Sequence, residues 1–432
     1  MIGNIGDRLE KLITKASEHA GGMLVADEAP PPADDPVIAP DRLQRLAPGV
    51  LDMHTSVGRH EENVLSMDFS PDGAYVATGS ADFCVKILDA SRAQRRQGAG
   101  DDGDSRRKVT LTSLYGANAP ITALSFHPYA AVVATGCNSA VLPAANKVDN
   151  TIRLYQFLSN ERRPITEIPV EKGVKQLAWH PRGGHLAAVI AQSPVVRLYD
   201  IKTGMAYAGK PKAGQDNDGS MAISVATHPA TFAVGQSNGF VNLVDPTTMA
   251  THTAFKTSGR MVRGVQLSHD GTKLLVTSES AAKQVSRGGM HPTVVPVHIE
   301  MYDVRKLMQG EVTATPLRRE HTTRGEQGHS VSDEDVNMFG DAFPIAQFGN
   351  NDKYVVYAKN DASAMSGKRR ILSVLQHIAI DPSSGRVDDH VSQIPLYHTD
   401  QVAAMASSRV DPFVITGSHD NYIRFHVLEF DS

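Results

Sequence analysis

Apolar residues along this chain fall in short alternating runs, and the runs return in the same order seven times. The first unit is "VLSMDFSPDGAYVATGSADFCVKILD" from Val64. An apolar strand leads into a Ser-Pro-Asp-Gly turn and a second β-branched strand. A turn built on Gly79, Ser80 and Asp82 follows, and a third strand ends on Asp89. Proline presets φ at the first central turn position, and glycine or asparagine accepts the positive φ that tight hairpins need. Period-2 patterning rich in β-branched residues predicts strands rather than helices.

The copies follow as "ITALSFHPYAAVVATGCN" from Ile121 with a late "NTIRLYQF", "GVKQLAWHPRGGHLAAVIAQSPVVRLYD" from Gly173 and "AISVATHPATFAVGQSNGFVNLVD" from Ala222. A fifth begins "VRGVQLSHDGTKLLVTSES" at Val262 and closes with "VHIEMYD". A weak sixth is "PIAQFGNNDKYVVYA" from Pro344 with "RILSVLQHIAID", and the seventh is "QVAAMASSRVDPFVITGSHDNYIRFHVL" from Gln401. Each unit is a small antiparallel sheet that cannot bury both faces alone. Radial stacking closes such sheets into a ring whose edges are protected.

The pattern resembles WD40 repeats and predicts an all-β, seven-bladed WD40 β-propeller with a short N-terminal α-helical arm. The tryptophan that names the repeat is missing from every closing strand: Leu88, Tyr155, Tyr199, Val244, Tyr302 and His426 stand at or near its place, and Trp179 lies elsewhere. His60 precedes Asp82 by the interval that separates His398 from Asp420. In WD40 repeats such a pair shares a buried hydrogen-bond network with the turn serine, which places Ser80 and Ser418 in it. A Ser-His-Asp set invites a hydrolase reading. Its occurrence in two separate blades favours a structural network that satisfies buried polar groups. Ring closure borrows a strand from the other chain end, and Val50–Ser56, "VLDMHTS", is the expected donor.

Outside the repeats, "IGDRLEKLITKASEHAGG" carries Ile5, Leu9, Leu12 and Ile13 at helical spacing, with Gly21 and Gly22 as a stop. A proline-rich acidic linker follows. The expected domains are a helix over 1–22 with a role in assembly, a linker over 23–49 and a propeller over 50–432. The helix is marginal alone and is expected to pack on a second copy, on a partner, or on the propeller itself. Polar inserts such as "AQRRQGAGDDGDSRRK" read as surface loops, and "GKRR" at Gly367–Arg370 as a basic surface cluster.

Composition narrows the function. The 432 residues include 43 Lys and Arg against 47 Asp and Glu, a formal net charge of −4. Proteins that grip phosphate directly carry a basic stripe, so no direct specific nucleic-acid binding is expected. Without an apolar run of spanning length or a leader pattern at Met1, the expectation is an intracellular protein with no membrane contact. Cys84 and Cys137 read as buried free thiols. His127, His180 and His228 precede prolines in successive repeats and read as turn residues, too far apart to share a metal. No P-loop, Rossmann fingerprint, H-E-x-x-H or G-x-S-x-G occurs. No catalytic residue, metal or cofactor is expected.

The first three repeats go beyond a generic likeness. "SPDGAYVATGSADFCVKILD", "LTSLYGANAPITALSFHP" and "ERRPITEIPVEKGVKQLAWHPRGGHLAAVIAQSPVVRLYDIKTG" together resemble the WD-repeat subunits (subunit 1, the 50 kDa type) of cleavage stimulation factor. The likeness is good over 64–204, fair in the fourth and seventh units and faint over 280–398. It implies a nuclear complex in pre-mRNA 3′-end cleavage and polyadenylation, in which another subunit contacts the RNA. The WD-repeat subunit binds the helical-repeat scaffold subunit and self-associates through its N-terminal domain. The arm here is shorter than that domain, which leaves the homodimer open. Two rivals stand beside this reading. One is a WD40 scaffold of an unrelated assembly, such as a ubiquitin-ligase receptor or a trafficking coat. The other is a propeller enzyme or small-molecule binder, which needs convergent polar groups in the central channel.

Overall fold

Turn chemistry sets where each strand begins and ends. In the first turn Ser70 Oγ donates to Asp72 Oδ1 (2.5 Å) and accepts Tyr75 N–H (2.9 Å). In the His-Pro turns an imidazole takes over: His127 Nδ1 accepts from Tyr129 N (3.1 Å) and Ala130 N (3.0 Å), and His180 Nδ1 from Arg182 N (3.0 Å). Both turn types thus supply one acceptor for the turning backbone. The terminal aspartates cap the next connection. Asp89, Asp200, Asp245 and Asp303 each accept backbone N–H groups two or three residues on. Capping by Asp89 starts a helix at Ala90–Gly98, where a loop was expected; Ala90 and Ala93 are buried in the cluster that also holds Val109.

The computed structural model describes residues 56–98, 109–141, 148–208, 220–279, 297–319, 345–365, 368–381, 387–396, 398 and 400–428. The expected N-terminal helix with Ile5, Leu9, Leu12 and Ile13, and the linker over 23–49, lie outside them. The described strands form seven four-stranded antiparallel sheets. Blade 1 comprises Val64–Phe69, Tyr75–Ser80, Val85–Asp89 and Thr110–Leu114; blade 2 comprises Ile121–Phe126, Val132–Cys137, Thr151–Gln156 and Thr166–Pro169. Blade 3 uses Val174–Trp179, His185–Ile190, Val196–Asp200 and Ala206–Ala208, and blade 4 Ala222–Thr227, Phe232–Gln236, Phe240–Val244 and Thr251–Lys256. Blade 5 uses Met261–Leu267, Lys273–Glu279, Val297–Asp303 and Ala314–Arg319, and blade 6 Gln347–Gly349, Tyr354–Met365, Lys368–Ile380 and Val387–Pro395. Lys368–Arg370 are therefore strand residues and not a loop. Blade 7 takes Val402–Ser407, Phe413–Ser418 and Tyr422–Val427 from the chain's end, and Ser56–Arg59 from before blade 1.

The ring does close by a borrowed strand, described over Ser56–Arg59; of the expected donor Val50–Ser56, only Ser56 lies within the described residues, and it pairs with Arg424. Arg59 pairs with Tyr422, and the strand leads directly into His60, whose N–H reaches Asn421 O (2.9 Å). Antiparallel order puts turns after first and third strands on one face of the ring, here the first-turn face. The second-strand turns and the links between blades lie on the opposite face.

No single core fills the molecule. Seven larger apolar clusters each span one seam, such as Ala77, Val85 and Ile87 of blade 1 with Ile121, Leu124 and Val133 of blade 2. Because neighbours cover both faces, second strands such as Val132–Cys137 and Phe413–Ser418 are buried at every residue, replacing the expected alternation. All six residues standing for the missing tryptophan are buried.

Gly79, expected in a turn, lies inside the strand Tyr75–Ser80. A Cβ there would sit 2.6 Å from Ile121 Cγ2 of the next blade, and one on Gly136 would sit 2.5 Å from Val174 Cγ1. Gly235 meets Val262 and Gly417 meets Val64 in the same way. Each glycine is a notch for the β-branched residue that opens the next blade. In five first strands a register shift follows such a β-branched residue, a bulge that re-aims it, and in blade 4 the shift follows Ala222. Gly136→Ala is expected to cost about 1–3 kcal/mol by overpacking. Val174→Ala in the same chain should return part of that loss, read as a coupling in denaturant unfolding.

Candidate functional site

The two matched histidine–aspartate pairs form from the loop before the first strand and the turn after the second. His60 Nδ1 lies 2.9 Å from Asp82 Oδ2, and His398 Nδ1 3.0 Å from Asp420 Oδ2. The hydroxyls that meet these imidazoles belong to Thr78 (2.8 Å) and Thr416 (2.9 Å), two residues before the expected Ser80 and Ser418. Ser80 donates to Glu62 O (3.1 Å) and accepts Asp82 N–H (3.1 Å), while Ser418 does the same with Asp400 O (3.0 Å) and Asp420 N–H (3.1 Å). The serines thus hold the aspartate backbone, and the threonines replace them on the histidines. In blade 7 the chain runs one step further, from Thr416 Oγ1 to His426 Nε2 (3.1 Å), so an imidazole occupies the absent tryptophan's place. A carboxylate only accepts, so His398 Nδ1 carries a proton, and its Nε2 accepts from Thr416.

Both imidazoles are buried, and their hydroxyl partners face the blade interior. Neither of these two threonine hydroxyls is exposed as a nucleophile would have to be. Burial opposes ionisation of Asp82, but the hydrogen bond and charge of His60 overcome it and lower its pKa from 3.8 to about 2. Asp82 therefore adds stability that is present above about pH 4 and lost as pH falls toward 2. Burial lowers His398 and takes His426 down to about 3, keeping it neutral.

Other blades make the same tie with different chemistry, which the His–Asp search missed. In blade 2 Asp149 accepts Asn118 N–H (2.8 Å) and pairs with Arg153 (2.9 Å), which also reaches Glu167 (2.9 Å). In blade 5 Ser258 donates to Glu300, which also accepts from Tyr302 Oη (2.9 Å). Asp149 stands two residues before its strand as Asp82 nearly does, a signal masked by the insert between them. Cys84 and Cys137 are free and buried, with thiols pushed up by burial to about 11 and 12.

First strands of all seven blades line a central cavity of about 450 Å3. It is not purely apolar: Asp68, Lys175, Gln176, Arg263, Gln266, Gln347 and Arg409 reach it. At one strand position three side chains reach across a seam to a backbone N–H. Asp68 accepts from Phe126 (2.9 Å), Gln266 from Phe348 (2.6 Å) and Gln347 from Ser407 (2.8 Å). Burial raises Asp68 to about 7 against the lowering by Phe126 N–H and the charge of Arg409. Among the described residues no group of His, Cys, Asp and Glu could hold a metal, and no helix is long and apolar enough to cross a membrane.

The family model of the WD domain, G-beta repeat, matches residues 53–89, 108–156 and 393–426, which fall on blades 1, 2 and 7. The chain carries WD40 repeats. Cleavage stimulation factor subunit 50 of Arabidopsis thaliana is 26% identical over 194 residues, 44% of this chain and 41% of that protein. WD repeat and HMG-box DNA-binding protein 1 of Homo sapiens is 28% identical over 149 residues, 33% of this chain and 11% of its own length. Coronin-7 of Mus musculus is 25% identical over 164 residues, 38% and 16% of the two chains. The chain therefore spans well under two thirds of each of these relatives. The crystal structure of the Myceliophteria thermophila Cps50 (Swd1) β-propeller domain superposes with a TM-score of 0.59 at 13% identity, covering 86% of this chain and 98% of that one. That likeness concerns the fold alone.

Thr416→Val should cost about 1–3 kcal/mol, because it strands two buried imidazoles, and more than Thr78→Val. Parallel thermal and denaturant unfolding of the two variants checks the order. For Asp68 the raised folded pKa means that stability falls as pH rises from about 4 to about 7. Asp68→Asn removes the titrating group, so its melting temperature should gain on the wild type across that window and hold a constant difference above it.

Proposed function

We propose that this chain is a non-catalytic WD40 scaffold subunit of a nuclear complex of the cleavage stimulation factor type, acting in pre-mRNA 3′-end cleavage and polyadenylation. The 194-residue alignment with the Arabidopsis subunit carries this reading. The motifs of blades 1 to 3, including the third blade's "VRLYDIKTG", support it. The buried His-Asp-Thr chains add weight, since their chemistry is spent on holding loops to blades. A net charge of −4 suits a subunit that binds proteins while another contacts the RNA. The partner implied is the helical-repeat scaffold subunit of that complex. The stripe of Ile5, Leu9, Leu12 and Ile13 is a second assembly element, with another copy of this chain as one occupant.

The test is affinity purification of the tagged, intact chain from nuclear extract, with partners identified by mass spectrometry. Recovery of the other cleavage stimulation factor subunits is expected. Recovery of a ubiquitin-ligase or coat assembly in their place refutes the reading. Leu9→Asp with Leu12→Asp is expected to reduce the oligomeric mass or the partner yield while leaving propeller unfolding unchanged.

A further inference from the structure

The connections at the first-turn side of blades 2 and 3 carry exposed apolar side chains and an excess of positive charge. Tyr129, Leu158 and Met205 are 66%, 54% and 58% exposed, among the most exposed large apolar side chains described. The connections that bear them are tied one to the next by backbone hydrogen bonds and one close side-chain approach. Phe157 N–H bonds to Ala131 O (3.1 Å), which sets Leu158 beside the turn that bears Tyr129. A Cβ on Gly183 would lie 3.5 Å from Tyr129 Cδ2, so that ring rests on the first turn of blade 3. Ile201 N–H bonds to Gly184 O (3.1 Å), joining that turn to the connection that holds Lys202 and Met205. Tyr129 is rigidly mounted, because His127 Nδ1 accepts Tyr129 N–H (3.1 Å) and His127 Nε2 donates to Gly183 O (3.1 Å).

Arg162, Arg163, Arg182 and Lys202 are exposed in these same connections. Their acidic neighbours are Glu161 and Asp200, and Asp200 Oδ1 accepts Lys202 N–H (2.8 Å) and Thr203 N–H (3.0 Å). Four cations against two carboxylates make this sector positive within a chain of net charge −4.

We propose that this sector docks an acidic, amphipathic segment of a protein partner. The inference rests on the scaffold reading and names its contact surface. A segment of this kind places apolar side chains on Tyr129, Leu158 and Met205, removing their area from water, while its carboxylates face the arginines. Single-stranded nucleic acid is a poorer fit, since it is held by several stacking rings along a basic groove. Here two of the three exposed apolar side chains are aliphatic.

The test is fluorescence anisotropy with the full-length protein at physiological ionic strength. The probes are a synthetic peptide with leucine and phenylalanine at helical spacing and glutamate elsewhere, the same peptide with lysine for glutamate, oligouridine, and a peptide of residues 23–49. The glutamate peptide is expected to bind best. Arg162→Glu, Arg163→Glu and Arg182→Glu together should weaken it by about tenfold or more, as should Tyr129→Ala with Leu158→Ala. Arg59→Glu, on the opposite face, should leave it unchanged. All these residues are exposed, and an unaltered melting temperature verifies that each variant is folded. The proposal is overturned if the lysine peptide binds as well or if charge reversal has no effect. It falls equally if oligouridine binds more tightly and is lost on reversal, which assigns the sector to nucleic acid. Tighter binding by the 23–49 peptide assigns it to the chain's own linker. Should the glutamate peptide fail while the intact chain still recovers its assembly, the scaffold reading stands and this surface does not.

Discussion

The fit of one β-branched side chain into one glycine notch, found at four of the seven seams, is the contact on which the close approach of those blades rests. Val64 meets Gly417, Ile121 meets Gly79, Val174 meets Gly136 and Val262 meets Gly235. Four-stranded sheets set radially have no common core, so their apolar area is buried seam by seam. A Cβ at a notch would hold two blades apart and expose the cluster behind it. The Val64–Gly417 seam is also the seam of closure. There Val57 and Val64 join Ile415, Ile423 and Phe425 in one cluster, and the borrowed strand Ser56–Arg59 completes blade 7.

Polar ties hold the loops once the seams are packed, and their chemistry is interchangeable while their position is not. Asp82 with His60, Asp149 with the Asn118 N–H, and Glu300 with Ser258 all join an inter-blade link to the blade it enters. Each leaves a buried charged or polar group satisfied, which is the requirement that burial imposes. Asp68 shows the limit of that tolerance. It stands where Gln266 and Gln347 reach a neighbour's N–H without ionising, and burial raises its pKa to about 7.

The proposed scaffold role looks to the two faces of the ring. The opposite face carries the loops held by the histidines, and the first-turn face carries Tyr129, Leu158 and Met205 with the arginines of the same connections. Scaffold proteins work through such rigidly mounted surfaces, because a partner that docks on them loses little to reordering of the loops.

Reading along the chain was enough for the blade count, the first three strands of most blades, the His-Pro and Ser-Pro-Asp-Gly turns, the buried thiols and the pairing of His60 with Asp82 and His398 with Asp420. These depend on neighbours a few residues apart or on an interval repeated in two units, and local spacing records both. What joins different blades was not legible there. Gly79 reads as a turn residue until Ile121 is seen against it, and the closing strand could be placed only once Arg59 lay opposite Tyr422. Thr78 and Thr416 were passed over for Ser80 and Ser418 because which hydroxyl meets an imidazole depends on strand register. Tyr129, Leu158 and Met205 are scattered through three connections and come into one sector only when blades 2 and 3 stand side by side. Periodicity specifies a strand and its faces, whereas contacts across a seam depend on the angle and register at which two separately specified sheets meet.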